Sequence, residues 1–283
     1  MLERMLVPLD TSETSRGILP YAASLARRLK QPVHLVSVIP DASDLHTFGE
    51  EHAASVQSLA GQLRTEAQQA LAAAGVMRFE DALRVVRQRG QFMQEACEAT
   101  KGGMAAIIGL DEAKTREACA EAGVELANLN CPGQIVISGP ADRMDKACEA
   151  AKAKGAKKAM PLPVAGGYHS QLMASAQPKL EGALRGVSLQ GPAVTVVSNV
   201  TAQPHGGPSE IAPLLVRQVT SPVRWEDSMR WLIGQGYTRF IELGPGKALS
   251  GFMKRIDGSA QMLNVGDAAS LEATVQALAQ AKP

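Results

Sequence analysis

The sequence predicts an α/β fold, because short apolar strands alternate with amphipathic helices along its 283 residues. Near the start, Met5-Leu-Val-Pro-Leu9 and Val33 to Ile39 read as buried strands flanking a segment whose Ile18, Ala22, Leu25 and Leu29 recur at helical spacing. With a second helix from about Glu51 to Ala74, this is a Rossmann-like βαβα unit with a parallel strand pair. Residues 102–164 read strand, helix, strand, strand, helix, strand, which is a complete ferredoxin-like β-α-β-β-α-β subdomain. The remainder is again α/β.

In the opening unit, Asp10-Thr-Ser-Glu-Thr supplies capping residues for the first helix, and Pro40 to Glu50 is a polar connection. The second helix gathers Val56, Leu59, Leu63, Ala67, Ala70 and Leu71 on one side. Two strands are too few for a stable parallel sheet, so this unit must take further strands from elsewhere. A helix follows from Phe79 to about Thr100. The central subdomain then has a strand at Met104 to Leu110, a helix at Asp111 to Gly123, and strands at Val124 to Asn130 and Gln134 to Ser138. A helix at Ala141 to Gly155 and a strand at Ala159 to Val164 complete it. Beyond His169 the spacing predicts a helix, a strand at Val194 to Ser198, helices at Ser209 to Thr220 and Arg224 to Gly236, and a strand at Arg239 to Leu243. Gly244-Pro-Gly-Lys turns into another helix, a short strand runs from Met262 to Val265, and an amphipathic helix carrying Leu271, Val275 and Leu278 closes the chain.

Charge and composition exclude several classes. Lys plus Arg number 29 against 28 Asp plus Glu, which gives no electrostatic reason for a nucleic-acid partner. With two Trp, three Tyr and five Phe, base-stacking platforms are not expected either. Cys97, Cys119, Cys131 and Cys148 show no Cys-x-x-Cys spacing, so neither a metal site nor a disulfide framework is expected. The N-terminus lacks the apolar core of a signal peptide, and no apolar run is long enough to span a bilayer. The expectation is a cytoplasmic protein without a cofactor.

Six blocks carry a specific resemblance: Arg87 to Glu95, Gly103 to Leu110, Asn128 to Gly139, Pro161 to Met173, Leu215 to Trp225 and Gly244 to Gly251. From about Ala74 onward, roughly three quarters of the chain resembles malonyl-CoA:acyl-carrier-protein transacylase. That resemblance implies an α/β-hydrolase-like subdomain, present here only in part, with the ferredoxin-like one inserted into it. It implies malonyl-CoA and acyl carrier protein as partners. It also implies roles for three residues. His169 matches the catalytic histidine that deprotonates a serine nucleophile, Gln218 the residue whose main-chain carbonyl orients that imidazole, and Arg89 the arginine that clamps the malonate carboxylate. Tyr168 stands where many members have Phe, and Ala165 where Ser is frequent.

Two family motifs are missing. No Gly-x-Ser-x-Gly elbow occurs in the sequence, nor does the Gly-Gln-Gly-Ser-Gln that helps build the oxyanion hole. Ser43, in the polar connection, sits topologically where the elbow would lie, but its Asp-Ala-Ser-Asp context lacks flanking glycines.

Residues 1–75 resemble the start of a universal stress protein, on Met5-Leu-Val-Pro-Leu-Asp-Thr-Ser-Glu and Leu25 to Ile39. The chain is therefore read as a chimera joined near Ala73-Ala-Gly-Val76, with residues 76–283 as the transacylase part. That resemblance implies a nucleoside contact for Asp10, although helix capping is the plainer role and the phosphate-binding glycine motif is absent. The expected function is a transacylase by descent, inactive or crippled. The alternatives are a remnant that binds acyl carrier protein or coenzyme A without turnover, and weak nucleotide binding by the N-terminal unit.

Overall fold

The computed structural model describes residues 5–9, 33–37, 74–244 and 246–280. The helices expected over residues 10–29 and 51–74, the connection with Ser43, and Asp10 lie outside the described residues.

Two four-stranded sheets organise the chain. In the first, β1 (Met5–Leu9) pairs in parallel with β2 (Val33–Ser37), from Met5 opposite Val33 to Leu9 opposite Ser37. The two opening strands do gain partners: β1 is flanked on its other side by β7 (Arg239–Leu243), with Leu9 opposite Leu243. Then β7 pairs in parallel with β8 (Gln261–Val265), giving the order β2-β1-β7-β8.

The second sheet is antiparallel. It holds β3 (Gly102–Ile108), β4 (Glu125–Cys131), β5 (Gln134–Pro140) and β6 (Lys158–Pro161) in the order β4-β5-β3-β6. Its two helices are α2 (Glu112–Ala122) and α3 (Met144–Ala153); α1 (Phe79–Ala99) precedes it. Local chemistry sets these boundaries. The Asp111 carboxylate accepts the Lys114 N–H at 2.8 Å to start α2, and Gly123 ends it in the left-handed region at φ 70°. The β4–β5 turn places Pro132 ahead of Gly133 at φ 69°, the residue pattern of a type II turn.

The pleat divides the sheet's side chains between two cores. Ala105, Ile107, Ile135 and Ile137 pack with Ala118, Cys119, Ala147 and Cys148 of α2 and α3. Met104, Ala106 and Val136 face the other way, toward Met93 of α1 and Leu180 and Leu184 of α4 (Ala176–Arg185). A third core joins Trp225, Met229 and Leu232 of α6 (Trp225–Gly234), Phe240 of β7, and Leu249, Phe252 and Met253 of α7 (Ala248–Ile256). The remaining helices are α5 (Pro208–Gln218) and α8 (Ala268–Gln280).

One expectation needs correcting. The strand expected at Val194 to Ser198 is only an isolated antiparallel bridge between Val197 and Pro204. The Val-rich segment returns through a turn at Asn199–Ala202, and Pro204 followed by Gly206 and Gly207 leaves too short a partner to extend the ladder. The helix expected beyond His169 is present as α4 from Ala176, after a 3₁₀ turn (Gln171–Met173).

The four cysteines are buried. Burial pushes the Cys119 thiol up to about 12 and the Cys131 thiol up to about 11, so neither is a nucleophile at neutral pH. No group of acidic, histidine or cysteine side chains suited to a metal ion occurs among the described residues. Among them, no helix is long and apolar enough to cross a membrane.

His205 ends the Val197–Pro204 bridge segment, its N–H donating to Val196 O at 2.7 Å. Its buried Nδ1 has no hydrogen-bond partner among the described residues, and burial lowers its pKa from 6.5 to about 4. The folded state thus keeps a neutral ring while the unfolded chain protonates it below pH 6.5. The contribution to stability is present above that value and is lost as pH falls toward 4. Discounted for the ring's partial exposure, the expected loss is about 2 kcal/mol. Urea unfolding at pH 7 and pH 4.5 checks this: a His205→Leu variant should lose less stability than the parent over that interval, and parallel losses refute the assignment.

Candidate active site

The segment between β6 and α4 carries His169 to the C-terminal end of α5. Gly166 and Gly167 lead into it because there is no space for side chains. A Cβ on Gly166 would lie 2.4 Å from Cys97 Sγ, and one on Gly167 would lie 3.1 Å from the Gly139 carbonyl oxygen. His169 itself adopts φ 58°, a left-handed conformation that carries a strain of about 1 kcal/mol in a residue with a Cβ. Ser170 secures the turn, donating from Oγ to Gly167 O at 2.6 Å, and the Gln171 N–H donates to Glu125 Oε1 of β4 at 3.1 Å.

The imidazole is 4% exposed. Its Nδ1 lies 3.2 Å from the Gln218 carbonyl oxygen and 3.1 Å from that of Ser221. Both are acceptors only, so Nδ1 carries the hydrogen and Nε2 is left as the proton-accepting nitrogen. Gln218 is the last residue of α5, where carbonyls have no intrahelical partner and the helix dipole is negative. An imidazole that becomes cationic is stabilised at such a place. Gln177 of α4 reinforces this end, donating from Nε2 to Val216 O at 3.2 Å and to Thr220 Oγ1 at 3.1 Å. The Gln218 side chain is buried, and its Nε2 has no hydrogen-bond partner among the described residues. The residue's link to His169 is therefore through its backbone.

Arg89, on α1, is 2% exposed and among the largest fully buried side chains. A charged guanidinium at this depth carries a large desolvation penalty that surrounding acceptors must offset. The structure thus joins His169 to Gln218 directly and places Arg89 on the helix packed against the 3₁₀ turn that follows His169.

Two residues were not legible as functional positions. Ser221 supplies the second acceptor, and its only local signal is the Ser-Pro step after a helix. Glu242 is an acid inside an apolar strand, 5% exposed, whose carboxylate accepts the Leu249 and Ser250 N–H groups at 3.1 and 2.9 Å. That carboxylate already occupies the start of α7, so an anion at that helix end would face a fixed negative charge.

Comparison with known proteins adds descent to this geometry. The family model described as acyl transferase domain matches residues 42–274. Malonyl CoA-acyl carrier protein transacylase of Bacillus subtilis (strain 168) is 45% identical over 214 residues, covering 74% of this chain and 68% of that protein. The Staphylococcus aureus (strain MRSA252) protein of the same name is 36% identical over 261 residues, covering 90% and 77% respectively. Among solved structures, acyl-carrier-protein S-malonyltransferase from Burkholderia pseudomallei 1710b superposes with a TM-score of 0.78 at 33% identity, covering 97% of this chain and 99% of that one. A malonyl-transacylase in complex with a type II acyl-carrier protein reaches the same TM-score at 30% identity and the same coverage. The described fold is the mixed α/β fold of these structures, and the chain belongs to the acyl transferase domain family as a malonyl CoA-acyl carrier protein transacylase by descent.

Proposed function

We propose that this chain keeps the base, its orienting carbonyl and the carboxylate clamp of malonyl transfer, but lacks the nucleophile they serve. His169 is the inherited general base, Gln218 its orienting residue and Arg89 the site for the malonate carboxylate. The carrying observation is the His169 Nδ1 contact with Gln218 O, set beside a sequence without Gly-x-Ser-x-Gly. Acyl transfer in this family splits into two steps through a covalent acyl-enzyme. Without a serine at the elbow the first step has no acceptor, and loss of an oxyanion-hole donor alone lowers turnover by about a hundredfold or more.

In this reading the ferredoxin-like subdomain spans residues 102–164 and is inserted in a partial α/β-hydrolase-like subdomain within 76–283. Residues 1–75 are a universal-stress-protein-like fragment whose two strands extend the parallel sheet. The residue pattern of the first strand is what supports that part, while the acyl transferase match already begins at residue 42. Nucleotide binding through Asp10 is weak or nil, and titration with ATP should release no heat.

Incubating the purified protein with malonyl-CoA should leave its intact mass unchanged. A gain of one malonyl unit, abolished in His169→Ala, would establish a replacement nucleophile and end the inactive reading; Ser43 is the first position to map.

A second reading, carrier-protein binding without turnover, is favoured by the acyl-carrier-protein complex among the similar structures. Of the lysines near the end of α3, Lys154 is already paired with Glu117 and Glu121 at 3.1 and 2.8 Å, whereas Lys157 has no ion-pair partner among the described residues. Charge reversal at Lys157 is therefore the cleaner probe of an acidic partner.

A further inference from the structure

We infer that Ser221 is a second positioning residue for the base, and that its carbonyl is aimed by the antiparallel sheet. The inference rests on His169 being the inherited base, and it adds an acceptor and a source of control beyond the helix end.

The Ser221 carbonyl is the nearer of the two oxygens at His169 Nδ1, 3.1 Å against 3.2 Å for Gln218. The two acceptors are held independently. Gln218 is fixed by α5, and the chain continues as turns, with Val219 N donating to Val216 O and Thr220 N to Arg217 O at 3.3 and 3.2 Å. Pro222 then ends any helical continuation, because the residue before a proline is driven out of the α region into extended backbone. One residue on, Val223 forms a parallel bridge to β4 at Asn128: Leu129 N donates to Val223 O and Val223 N to Ala127 O, both at 2.8 Å. Arg224 N donates to Asn199 O at 2.9 Å and pins the far side.

The direction of the Ser221 carbonyl is therefore set by Pro222 and by the β4 bridge, not by α5. Helix and sheet each hold one acceptor for the same N–H. The ring keeps Nε2 as its basic nitrogen only while Val223 keeps its register on β4. The Ser221 hydroxyl has no part in the device.

The test reads the His169 ring without any substrate. In ¹⁵N-labelled protein, the ring resonances are assigned by their loss in His169→Gln. The parent should populate the Nδ1–H tautomer. Ser221→Ala, which keeps the carbonyl, should leave it unchanged. Pro222→Gly, which frees the carbonyl, should weaken the Nδ1–H preference about fivefold, as expected for one hydrogen bond. A parent dominated by the Nε2–H tautomer overturns the inference whatever the variants do. A folded Pro222→Gly with the parent's tautomer ratio overturns it as well. A malonyl adduct by mass would instead overturn the inactive reading and leave this result standing.

Discussion

Gly102→Ala is expected to lower stability by about 3 kcal/mol or more, well beyond what an added methyl group does at an open position. Gly102 begins β3 and pairs with Pro140 of β5. Its conformation does not require glycine. The restriction is space, because a Cβ there would lie 2.2 Å from Gly167 N and 2.8 Å from Gly167 Cα. Those atoms are backbone, so no rotamer change relieves the clash, and either β3 or the segment carrying His169 must shift. For a domain of this size the fall in Tm is roughly 6–12 °C. Because Gly167 lies two residues before His169, the variant should also disturb the Nδ1 contacts with Gln218 and Ser221. Gly182→Ala is the matching control: it lies within α4 with nothing within 4 Å of the added carbon, and should stabilise by about 0.5–1 kcal/mol. If Gly102→Ala unfolds within 1 kcal/mol of the parent, the close approach of β3 to this segment is not a constraint.

Where local chemistry decides an element, its position could be read from residues alone. Arg239–Leu243 is a strand in which every second position need not be polar, since a parallel sheet is covered on both faces, and its limits were those expected. Asp111 and Gly123 bracket α2 because a carboxylate and a left-handed glycine satisfy helix ends wherever they occur. The Val194–Ser198 expectation failed for the complementary reason. High β propensity describes a fit to a neighbouring strand, and here the neighbour is a single bridge at Pro204. The site divides along the same line. The family blocks single out His169 and Gln218, and the structure brings them into contact. The Ser221 carbonyl could not be read, since a main-chain oxygen leaves no side-chain signature and its aim depends on a bridge between segments almost a hundred residues apart.

Glu242→Ala should destabilise the protein by about 3 kcal/mol, although Glu242 lies far from His169 in sequence. The reason is the start of α7. Its N-cap, Lys247, offers no side-chain acceptor, so the first N–H groups must be satisfied from outside the helix. The Glu242 carboxylate does this from the neighbouring strand, accepting Leu249 N and Ser250 N as well as the Ser250 hydroxyl. Its negative charge also sits against the positive end of the helix dipole. Removing it takes the acceptor from one buried and one part-buried donor and loosens a helix whose Leu249, Phe252 and Met253 build the core with Trp225 and Phe240. Glu242→Gln keeps the shape and one acceptor but loses the charge, so it should fall between Ala and the parent. Thermal unfolding and amide exchange at Leu249 and Ser250 separate the cases: Ala should lower Tm by roughly 6–12 °C and expose both amides. Equal exchange in parent and Ala variant would mean that α7 is held by its apolar face alone. The same carboxylate decides what the Gly244-Pro-Gly-Lys turn can bind. A phosphate approaching α7 would meet a helix end already neutralised by a fixed anion.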